Sequence, residues 1–268
     1  MAGVNWTDST VEAGGIKLHL KRAGPTAKKA RTVVVLHHET GTLDRLPFYD
    51  AQAAHYDVLL PHHPGYSRSE RPAWMRSVRD IAVMHRGLLS GLNIKDAALV
   101  GLGFGGWIAA EMAIKSCAAL SSITLMDAFG VKVSDRFTRD IADLFGLPDA
   151  ELRARAYVDP SIFEADVKKV SDEELARRMR AREGLARYGW SPFLHDPKLL
   201  ARLHRIKAPT QFIWGARDQI VTPAYGRAFA SHVPGATFTE IANAAHAPQV
   251  EQPQAALEAI LSFANVQR

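Results

Sequence analysis

The stretch Ala98-Leu-Val-Gly-Leu-Gly-Phe-Gly-Gly-Trp-Ile-Ala-Ala-Glu111 passes from an apolar run into a helical pattern through four glycines. A strand that turns sharply into a helix favours residues without a Cβ, because other residues resist the backbone conformations that such a turn requires. Turns of this kind hold a phosphate group or a catalytic nucleophile in many α/β proteins. The rest of the chain decides between these two uses.

Short β-branched runs alternate with longer helical patterns on both sides of this stretch, which predicts a mostly parallel sheet flanked by helices. We predict strands over residues 16–21, 32–37, 57–61, 97–101, 122–126, 210–214 and 237–241, with residues 10–12 adding an antiparallel edge through the Gly14-Gly15 turn. We predict helices over residues 78–92, 106–115, 224–231 and 254–263. The fold class is therefore α/β.

Residues 131–204 differ from the rest of the chain, because they are rich in arginine and contain no strand-like run. We predict one helix over residues 134–145, opened by a capping serine, and a second that Ser171-Asp-Glu-Glu174 starts as a capping box. So many residues without a strand favour a helical insertion over a loop. The predicted domains are thus a core of residues 1–130 and 205–268 and a helical cap of residues 131–204; an ordinary pair of crossover helices is the alternative.

The composition argues against several kinds of partner. Lys and Arg number 33 against 28 Asp and Glu, a net charge of +5 without long runs of one sign, so neither a nucleic acid nor a membrane surface is expected to bind. One cysteine permits no internal disulfide, and the amino terminus lacks the pattern of a signal peptide. We therefore predict a cytoplasmic protein with a small-molecule partner and no cofactor, and leave a homodimer open.

The glycine-rich turn fits two motifs. Gly101, Gly103 and Gly106 satisfy G-x-G-x-x-G, and Asp127 closes the next strand at the distance that a dinucleotide site requires. That motif normally follows an early strand, however, whereas this turn comes after a hundred residues. The alternative is G-x-S-x-G, a turn that lifts a nucleophile above the sheet, with Gly103 at the serine position.

Five further stretches favour the second motif, and with them the chain resembles the α/β-hydrolase superfamily, in its capped branch of esterases and carbon–carbon bond hydrolases. They are Leu36-His-His-Glu-Thr-Gly41, His63-Pro-Gly-Tyr-Ser-Arg-Ser-Glu70, Trp214-Gly-Ala-Arg-Asp218, Asn243-Ala-Ala-His246 and Glu251-Gln-Pro253. The resemblance implies an α/β-hydrolase fold with Asp218 as the acid and His246 as the base. It also implies oxyanion-binding N–H groups on Phe104 and in the His38-Glu39 segment.

The chain departs from this family at Gly103, which has no side chain to attack a carbonyl. His246, oriented by Asp218, is then expected to activate a water molecule or to abstract a substrate proton. Suitable substrates carry an activated carbonyl, as in an ester, a lactone or a vinylogous diketone open to carbon–carbon cleavage. The alternatives are a catalytically silent protein that binds a ligand or a partner, and a hydrolase inactivated by replacement of serine with glycine.

Two histidine pairs, His37-His38 and His62-His63, follow neighbouring predicted strands and are expected near the mouth of the pocket, beside Gly103. The family often carries histidine at His37 and His63, which favours packing and hydrogen bonding. The predicted site contains no metal, although one or two of these histidines with Glu39 would suit zinc or iron, and the sequence leaves that alternative open. Glu39 itself either turns away, pairs with a histidine, or acts as an acid or base.

The predicted cap carries the side chains that determine which substrates fit. We expect Phe137, Leu144, Phe145, Tyr157, Phe163, Met179 and Trp190 to pack in the cap or to wall the pocket. Seven arginines are expected mostly on a solvated face: Arg136, Arg139, Arg153, Arg177, Arg178, Arg180 and Arg182. One that points inward would favour a substrate that carries a carboxylate.

Overall fold

The computed structural model describes residues 4–25, 31–42, 46–115, 120–163 and 170–266. Its centre is one sheet of eight strands in the order β1-β2-β4-β3-β5-β6-β7-β8. The strands are β1 (Thr7–Ala13), β2 (Ile16–Ala23), β3 (Thr32–Leu36), β4 (Asp57–Pro61), β5 (Ala97–Leu102), β6 (Leu120–Met126), β7 (Thr210–Gly215) and β8 (Thr237–Ile241). β2 pairs antiparallel with β1 and β4, and all other pairs are parallel. The predicted α/β class, with a mostly parallel sheet, is confirmed.

Eight α-helices are assigned in the described part of the chain. They are α1 (Pro47–Ala53), α2 (Val78–Gly91), α3 (Phe104–Ala113), α4 (Asp149–Ala156), α5 (Asp172–Gly189), α6 (Pro223–Ala230), α7 (Pro248–Glu251) and α8 (Pro253–Val266). Local signals explain several starts: Ser77 forms a capping box with Asp80 at α2, and Ser171 accepts a hydrogen bond from the Glu174 N–H at α5. Short 3₁₀ turns occupy Pro160–Phe163 and Leu200–Arg205.

The predicted helix over residues 134–145 is wrong, because the described chain forms turns there. The Asp135 carboxylate accepts the N–H groups of Phe137 and Thr138, and the Asp140 carboxylate accepts those of Val133 and Ser134. These side chains compete with the carbonyl groups that a helix would use. The helices α4 and α5 follow instead, between β6 and β7 in the chain; the division into core and cap stays a prediction.

Helices on both faces of the sheet bury two apolar clusters. The larger cluster joins strand residues such as Leu99 and Ile123 with α2 and α3, and the other joins Val35 and Val100 with α1 and α8. β3 to β7 are buried on both faces, as expected of parallel strands covered by helices. In the described residues, no helix is long and apolar enough to span a bilayer.

The parallel strands bring four loops to one edge of the sheet. Leu36 lies opposite Gly101, Leu102 opposite Met126, and Met126 opposite Ile213. The residues that follow β3, β5, β6 and β7 therefore begin side by side. Ligand sites in open α/β sheets form at this carboxyl edge.

Candidate active site

The turn between β5 and α3 has the sharp strand-to-helix geometry that its glycines predict. Gly103 is the N-cap of α3, with φ +50° and ψ −112°, a conformation that side chains rarely adopt. Gly105 and Gly106 of the same turn lack side chains because other elements approach their backbones closely. A Cβ on Gly105 would lie 2.1 Å from the Leu36 carbonyl oxygen, and a Cβ on Gly106 would lie 2.3 Å from the Ala128 Cβ. The structure therefore holds Gly103 at the apex of a tightly packed turn.

Asp218 and His246 meet beside this turn. Asp218 follows β7 and His246 follows β8, and the His246 Nδ1 lies 2.7 Å from the Asp218 Oδ2. The other Asp218 oxygen accepts the N–H groups of Ile220 and Val221 at 2.7 and 3.0 Å, which fixes the carboxylate. Asp218 therefore orients the imidazole so that its Nε2 points the other way, buried and without a hydrogen-bond partner among the described residues.

Glu39 occupies the space that a side chain on Gly103 would need. A Cβ built on Gly103 would lie 2.5 Å from the Glu39 Oε2 and 2.7 Å from the His38 Cδ2. The Phe104 N–H donates to the Glu39 Oε2 at 3.3 Å, and the Glu39 Oε1 lies 3.4 Å from the His246 Nε2. The N–H predicted to bind an oxyanion is thus present but faces a carboxylate. Of the three alternatives for Glu39, the structure shows pairing with histidine.

The charges of the site are strongly coupled. Burial disfavours the ionised form of Glu39, but His38 and His246 outweigh burial and lower the pKa of Glu39 to about 2. Burial also disfavours the imidazolium of His246, yet the carboxylates of Asp218 and Glu39 raise the pKa of His246 well above its usual value. Burial lowers the pKa of His38 although Glu39 opposes it. A buried carboxylate thus faces two imidazoles.

The sequence that forms this site matches a known protein family. The model of the alpha/beta hydrolase fold family matches residues 32–253, which include Asp218, His246 and the strand-to-helix turn at Gly103, here called the elbow. The chain belongs to the α/β-hydrolase fold family. The dinucleotide interpretation of the turn is therefore wrong, and the predicted family is confirmed.

Individual members of the α/β-hydrolase family support this assignment. The 2-hydroxymuconate semialdehyde hydrolase of a Pseudomonas species is 30% identical over 207 residues, 72% of this chain and 71% of that protein. The 2-hydroxy-6-oxononadienedioate/2-hydroxy-6-oxononatrienedioate hydrolase of Paraburkholderia phymatum is 29% identical over 268 residues, 93% of this chain and 92% of that protein. Both alignments span most of each chain.

Solved structures of α/β hydrolases share the fold. The 2-hydroxy-6-oxo-6-phenylhexa-2,4-dienoate hydrolase of a Rhodococcus species has a TM-score of 0.78 at 20% identity and covers 98% of this chain and 99% of its own. The enol-lactonase of Burkholderia xenovorans has a TM-score of 0.76 at 20% identity and covers 96% of this chain and 100% of its own. At this identity, the likeness shows the fold alone.

Asp127 is a member of the α/β-hydrolase site that sequence reasoning assigned only to a dinucleotide motif. It follows β6 and its Oδ1 accepts the Gly215 N–H at 2.9 Å. Burial and the charge of Asp218 raise the pKa of Asp127 well above its usual range, which favours its neutral carboxyl. Its place at the carboxyl end of a parallel strand was the available signal.

The other predicted histidines form a hydrogen-bonded cluster apart from Glu39; this histidine cluster comprises His37, His62, His63 and His85. His63 donates from Nε2 to the His37 carbonyl at 3.1 Å, and its Nδ1 lies 2.9 Å from the His85 Nε2. The His37 Nε2 accepts the His63 N–H at 3.0 Å. Both ring nitrogens of His37 and His63 are therefore used within the fold, which agrees with a packing role.

A cavity of about 330 Å³ opens onto the site from α4 and α5. His38, Glu39, His246 and Arg153 are among the residues that line it. Arg177 and Arg178 bind Glu174, and Arg182 lies 3.6 Å from Asp149. Arg153 is half-buried and, within the described residues, makes no ion pair or side-chain hydrogen bond. It is thus the inward cation that the sequence could not single out.

The predicted apolar wall of the pocket is only partly correct. Leu144, Tyr157 and Met179 line the cavity. Phe137 and Trp190 are exposed at 86% and 62%, and neither lines this cavity. The side chain of Phe163 lies outside the described residues. Apolar residues of the turns and helices after β6 thus divide between the pocket and the surface, which their spacing alone does not reveal.

Proposed function

We propose that this α/β-hydrolase cleaves a small organic acid at an activated carbonyl, with Asp218 and His246 activating a water molecule. The observation that carries the proposal is the His246 imidazole, which is buried beside the cavity with its Nδ1 2.7 Å from Asp218 and its Nε2 3.4 Å from the Glu39 carboxylate. The carboxylates of Asp218 and Glu39 raise its pKa and favour the imidazolium, so His246 must first release a proton. The neutral ring that results is a strong base with its lone pair on Nε2.

In this reaction, the oxygen of water bonds to the carbonyl carbon while His246 accepts a water proton at Nε2. The bond from that carbon to its leaving atom then breaks, and His246 returns the proton to the leaving group. The products are an acid and an alcohol for an ester or lactone, or an acid and a protonated carbon for a carbon–carbon bond. No covalent enzyme intermediate is required, which fits a glycine at position 103.

Arg153 supports an acidic substrate. Its guanidinium lines the same cavity without a protein partner among the described residues, and guanidinium groups bind carboxylates through paired hydrogen bonds. The substrates named for two relatives, a 2-hydroxymuconate semialdehyde and a 2-hydroxy-6-oxononadienedioate, are also organic acids with an oxo group. We therefore favour a 2-hydroxy-6-oxo dienoic acid or a carboxylated enol-lactone over a neutral ester.

One observation favours a second function, the binding of a ligand without turnover. The Phe104 N–H, which would stabilise an oxyanion, already donates to the Glu39 carboxylate at 3.3 Å. A substrate oxyanion would have to displace that carboxylate. The cytoplasmic location and a homodimer remain predictions.

The test compares wild type with His246→Gln on three substrates: a 2-hydroxy-6-oxo dienoic acid, a carboxylated enol-lactone and p-nitrophenyl acetate. We expect wild type to cleave one of the acids and His246→Gln to lose at least about 100-fold in kcat. His232→Gln, at an exposed histidine, is the control and should match wild type. Turnover that survives His246→Gln would refute the base. Stabilisation of both proteins by the acids without any turnover would favour ligand binding.

A further inference from the structure

We infer that His38, Glu39 and His246 form a binding site for one divalent transition-metal ion, with Zn²⁺ as the best match to the ligands. The inference goes beyond the proposed function, because it concerns binding that is measurable without a substrate. In the described residues, one ligand atom from each of these three buried side chains lies within 4.8 Å of the others.

The hydrogen bonds of His38 leave a lone pair facing a carboxylate. Both ring nitrogens of His38 face oxygens that only accept, since the Nε2 lies 3.3 Å from the carbonyl oxygen of His246, and a neutral ring carries one proton; metal binding at Nδ1 requires that proton on Nε2. The His38 Nδ1 is then an acceptor, 3.0 Å from the Glu39 Oε2. Two acceptors repel at this distance unless a cation lies between them.

The same argument holds for His246. Its Nδ1 donates to Asp218, so when a metal ion displaces the proton that the facing carboxylates favour on Nε2, the lone pair of that nitrogen is available to the ion. This nitrogen lies 3.4 Å from the Glu39 Oε1. A carboxylate that binds the far nitrogen of a histidine is the usual support of a metal-ligating imidazole, because it fixes the tautomer and increases ligand basicity.

The distances fit a tetrahedral ion. Bonds of about 2.0–2.1 Å to nitrogen and oxygen place neighbouring ligands roughly 3.3 Å apart around zinc. The His38 Nδ1 lies 3.0 Å from the Glu39 Oε2 and the His246 Nε2 lies 3.4 Å from the Glu39 Oε1, so each imidazole faces a different oxygen and the ion would lie against both oxygens of the carboxylate. Two imidazoles and one carboxylate are a known catalytic zinc set, in which the fourth position is open. Here that position would face the cavity.

Charge balance supports the same conclusion. The buried carboxylates of Glu39 and Asp218 both face His246 in a site from which water is largely excluded, so positive charge is favoured there. One divalent cation between His38 and His246 balances both charges. His37 and His63 offer no competing nitrogen, because both ring nitrogens of each are hydrogen-bonded elsewhere.

A side chain on Gly103 would collide with this site, since its Cβ would lie 2.5 Å from the Glu39 Oε2. Glycine therefore provides the space in which Glu39 and His38 converge. With the ion bound, His246 would hold the metal instead of accepting a proton, and the ion would lower the pKa of a bound water.

The test titrates chelator-treated, untagged protein with ZnCl₂ in a calorimeter and counts bound zinc by mass spectrometry. We expect one tightly bound ion per chain, and visible absorption bands of tetrahedral type when Co²⁺ replaces Zn²⁺. Glu39→Gln and His38→Ala should lose stoichiometric binding. Asp218→Asn, which leaves all three ligands in place, should weaken the affinity by about 10- to 100-fold.

Controls separate this site from surface histidines. His204→Ala and Glu258→Gln, at exposed positions, should bind zinc as wild type does. Circular dichroism spectra that match wild type establish that each variant is folded. Absence of stoichiometric binding in wild type, or equal binding in Glu39→Gln, would overturn the inference. Turnover by metal-free protein together with no zinc binding would leave the proposed function standing without the metal.

Discussion

Two groups of buried histidines lie near the carboxyl edge of the sheet and differ in what surrounds them. His38 and His246 contact the carboxylates of Glu39 and Asp218. The histidine cluster contacts other imidazoles, a threonine hydroxyl and the backbone. Both groups are almost completely buried, so exposure does not distinguish them.

The pKa of His246 and the pKa values of the histidine cluster shift in opposite directions. The carboxylates of Asp218 and Glu39 outweigh burial and raise the pKa of His246 well above its usual value. Burial without a carboxylate lowers the pKa of His85 to about 3 and that of His63 well below its usual value. The comparison teaches that two contacting carboxylates reverse the effect of burial on His246, whereas one does not at His38, whose pKa burial lowers as it does in the histidine cluster.

The largest expected effect is on kcat, and it should distinguish Asp218 from Asp127. Asp218→Asn should lower kcat on the order of 100-fold or more, because an amide donates as well as accepts and no longer fixes the tautomer of His246. Asp127→Asn should change kcat by about threefold or less, below about 0.7 kcal/mol, because the raised pKa of Asp127 already favours its neutral carboxyl. Steady-state kinetics on the cleaved acid measures both.

Equal losses in these two variants would contradict the different roles assigned to Asp218 and Asp127. The melting temperature is the control, since both side chains accept backbone N–H groups that an asparagine oxygen still accepts. A fall in the melting temperature without a fall in kcat at Asp218 would reduce that residue to a structural role.

The next effect tests the carboxylate that fills the elbow. Gly103→Ser alone should be destabilised on the order of 1–3 kcal/mol, since its Cβ meets Glu39 and His38 and its φ is positive. It should gain no esterase activity. The triple variant His38→Gly/Glu39→Gly/Gly103→Ser removes both obstacles, and we expect it to show a burst of p-nitrophenol from an acyl-serine.

Denaturant unfolding measures the first part of this prediction, and rapid mixing with p-nitrophenyl acetate measures the second. His246→Gln in the triple background is the control and should abolish the burst. A burst in Gly103→Ser alone would mean that Glu39 moves away readily, which would contradict a fixed carboxylate at the elbow.

Much of the fold was predictable because local patterns and packing agree. The strands Asp57–Pro61 and Thr237–Ile241 have the predicted bounds, since the first is an apolar run that ends at a proline and the second alternates polar and apolar residues. The glycines of the elbow were informative because each one is required by a close approach. The helix predicted over residues 134–145 was wrong because aspartate side chains bind backbone N–H groups there, and the periodicity of the sequence does not reveal that competition.

The acid and the base of the site were predictable, and the positions of Glu39 and Arg153 were much less so. The chain order of Gly103, Asp218 and His246 carried the prediction, and the structure brings Asp218 and His246 together. That Glu39 fills the elbow depends on the path of the loop after β3, which no spacing encodes. Among the four arginines that line the cavity, only the ion pairs of Arg177, Arg178 and Arg182 show that Arg153 is the unpaired one in the described residues.

A smaller effect is expected on KM, when Arg153 in the lining of the cavity is replaced. Arg153→Gln should raise KM for an acidic substrate roughly 10- to 100-fold, the value of a hydrogen bond to a charged group, and leave kcat nearly unchanged. Arg178→Gln is the matched control, because Arg178 lines the same cavity but already binds Glu174 at 2.7 Å. Equal changes in both variants would show that Arg153 contributes only general charge.

The smallest expected effect is on stability and belongs to the histidine cluster. The pKa of His85 is about 3 in the folded protein and near 6.5 when unfolded, so the unfolded state binds its proton first. The stability that neutral His85 confers is complete above about pH 6.5 and is lost progressively as the pH falls toward 3. At pH 5, the loss from this residue is about 2 kcal/mol.

Urea unfolding of wild type and His85→Gln from pH 7 to pH 4 measures this loss. The glutamine amide can still donate to the His63 Nδ1, as His85 does at 2.9 Å, but it cannot titrate. The free energy of unfolding should therefore fall less steeply with pH in the variant, while His204→Gln, at an exposed histidine, should follow wild type. Identical slopes in all three proteins would show that burial of His85 does not hold its imidazole neutral, and the contrast between the two groups of histidines would then fail at the cluster.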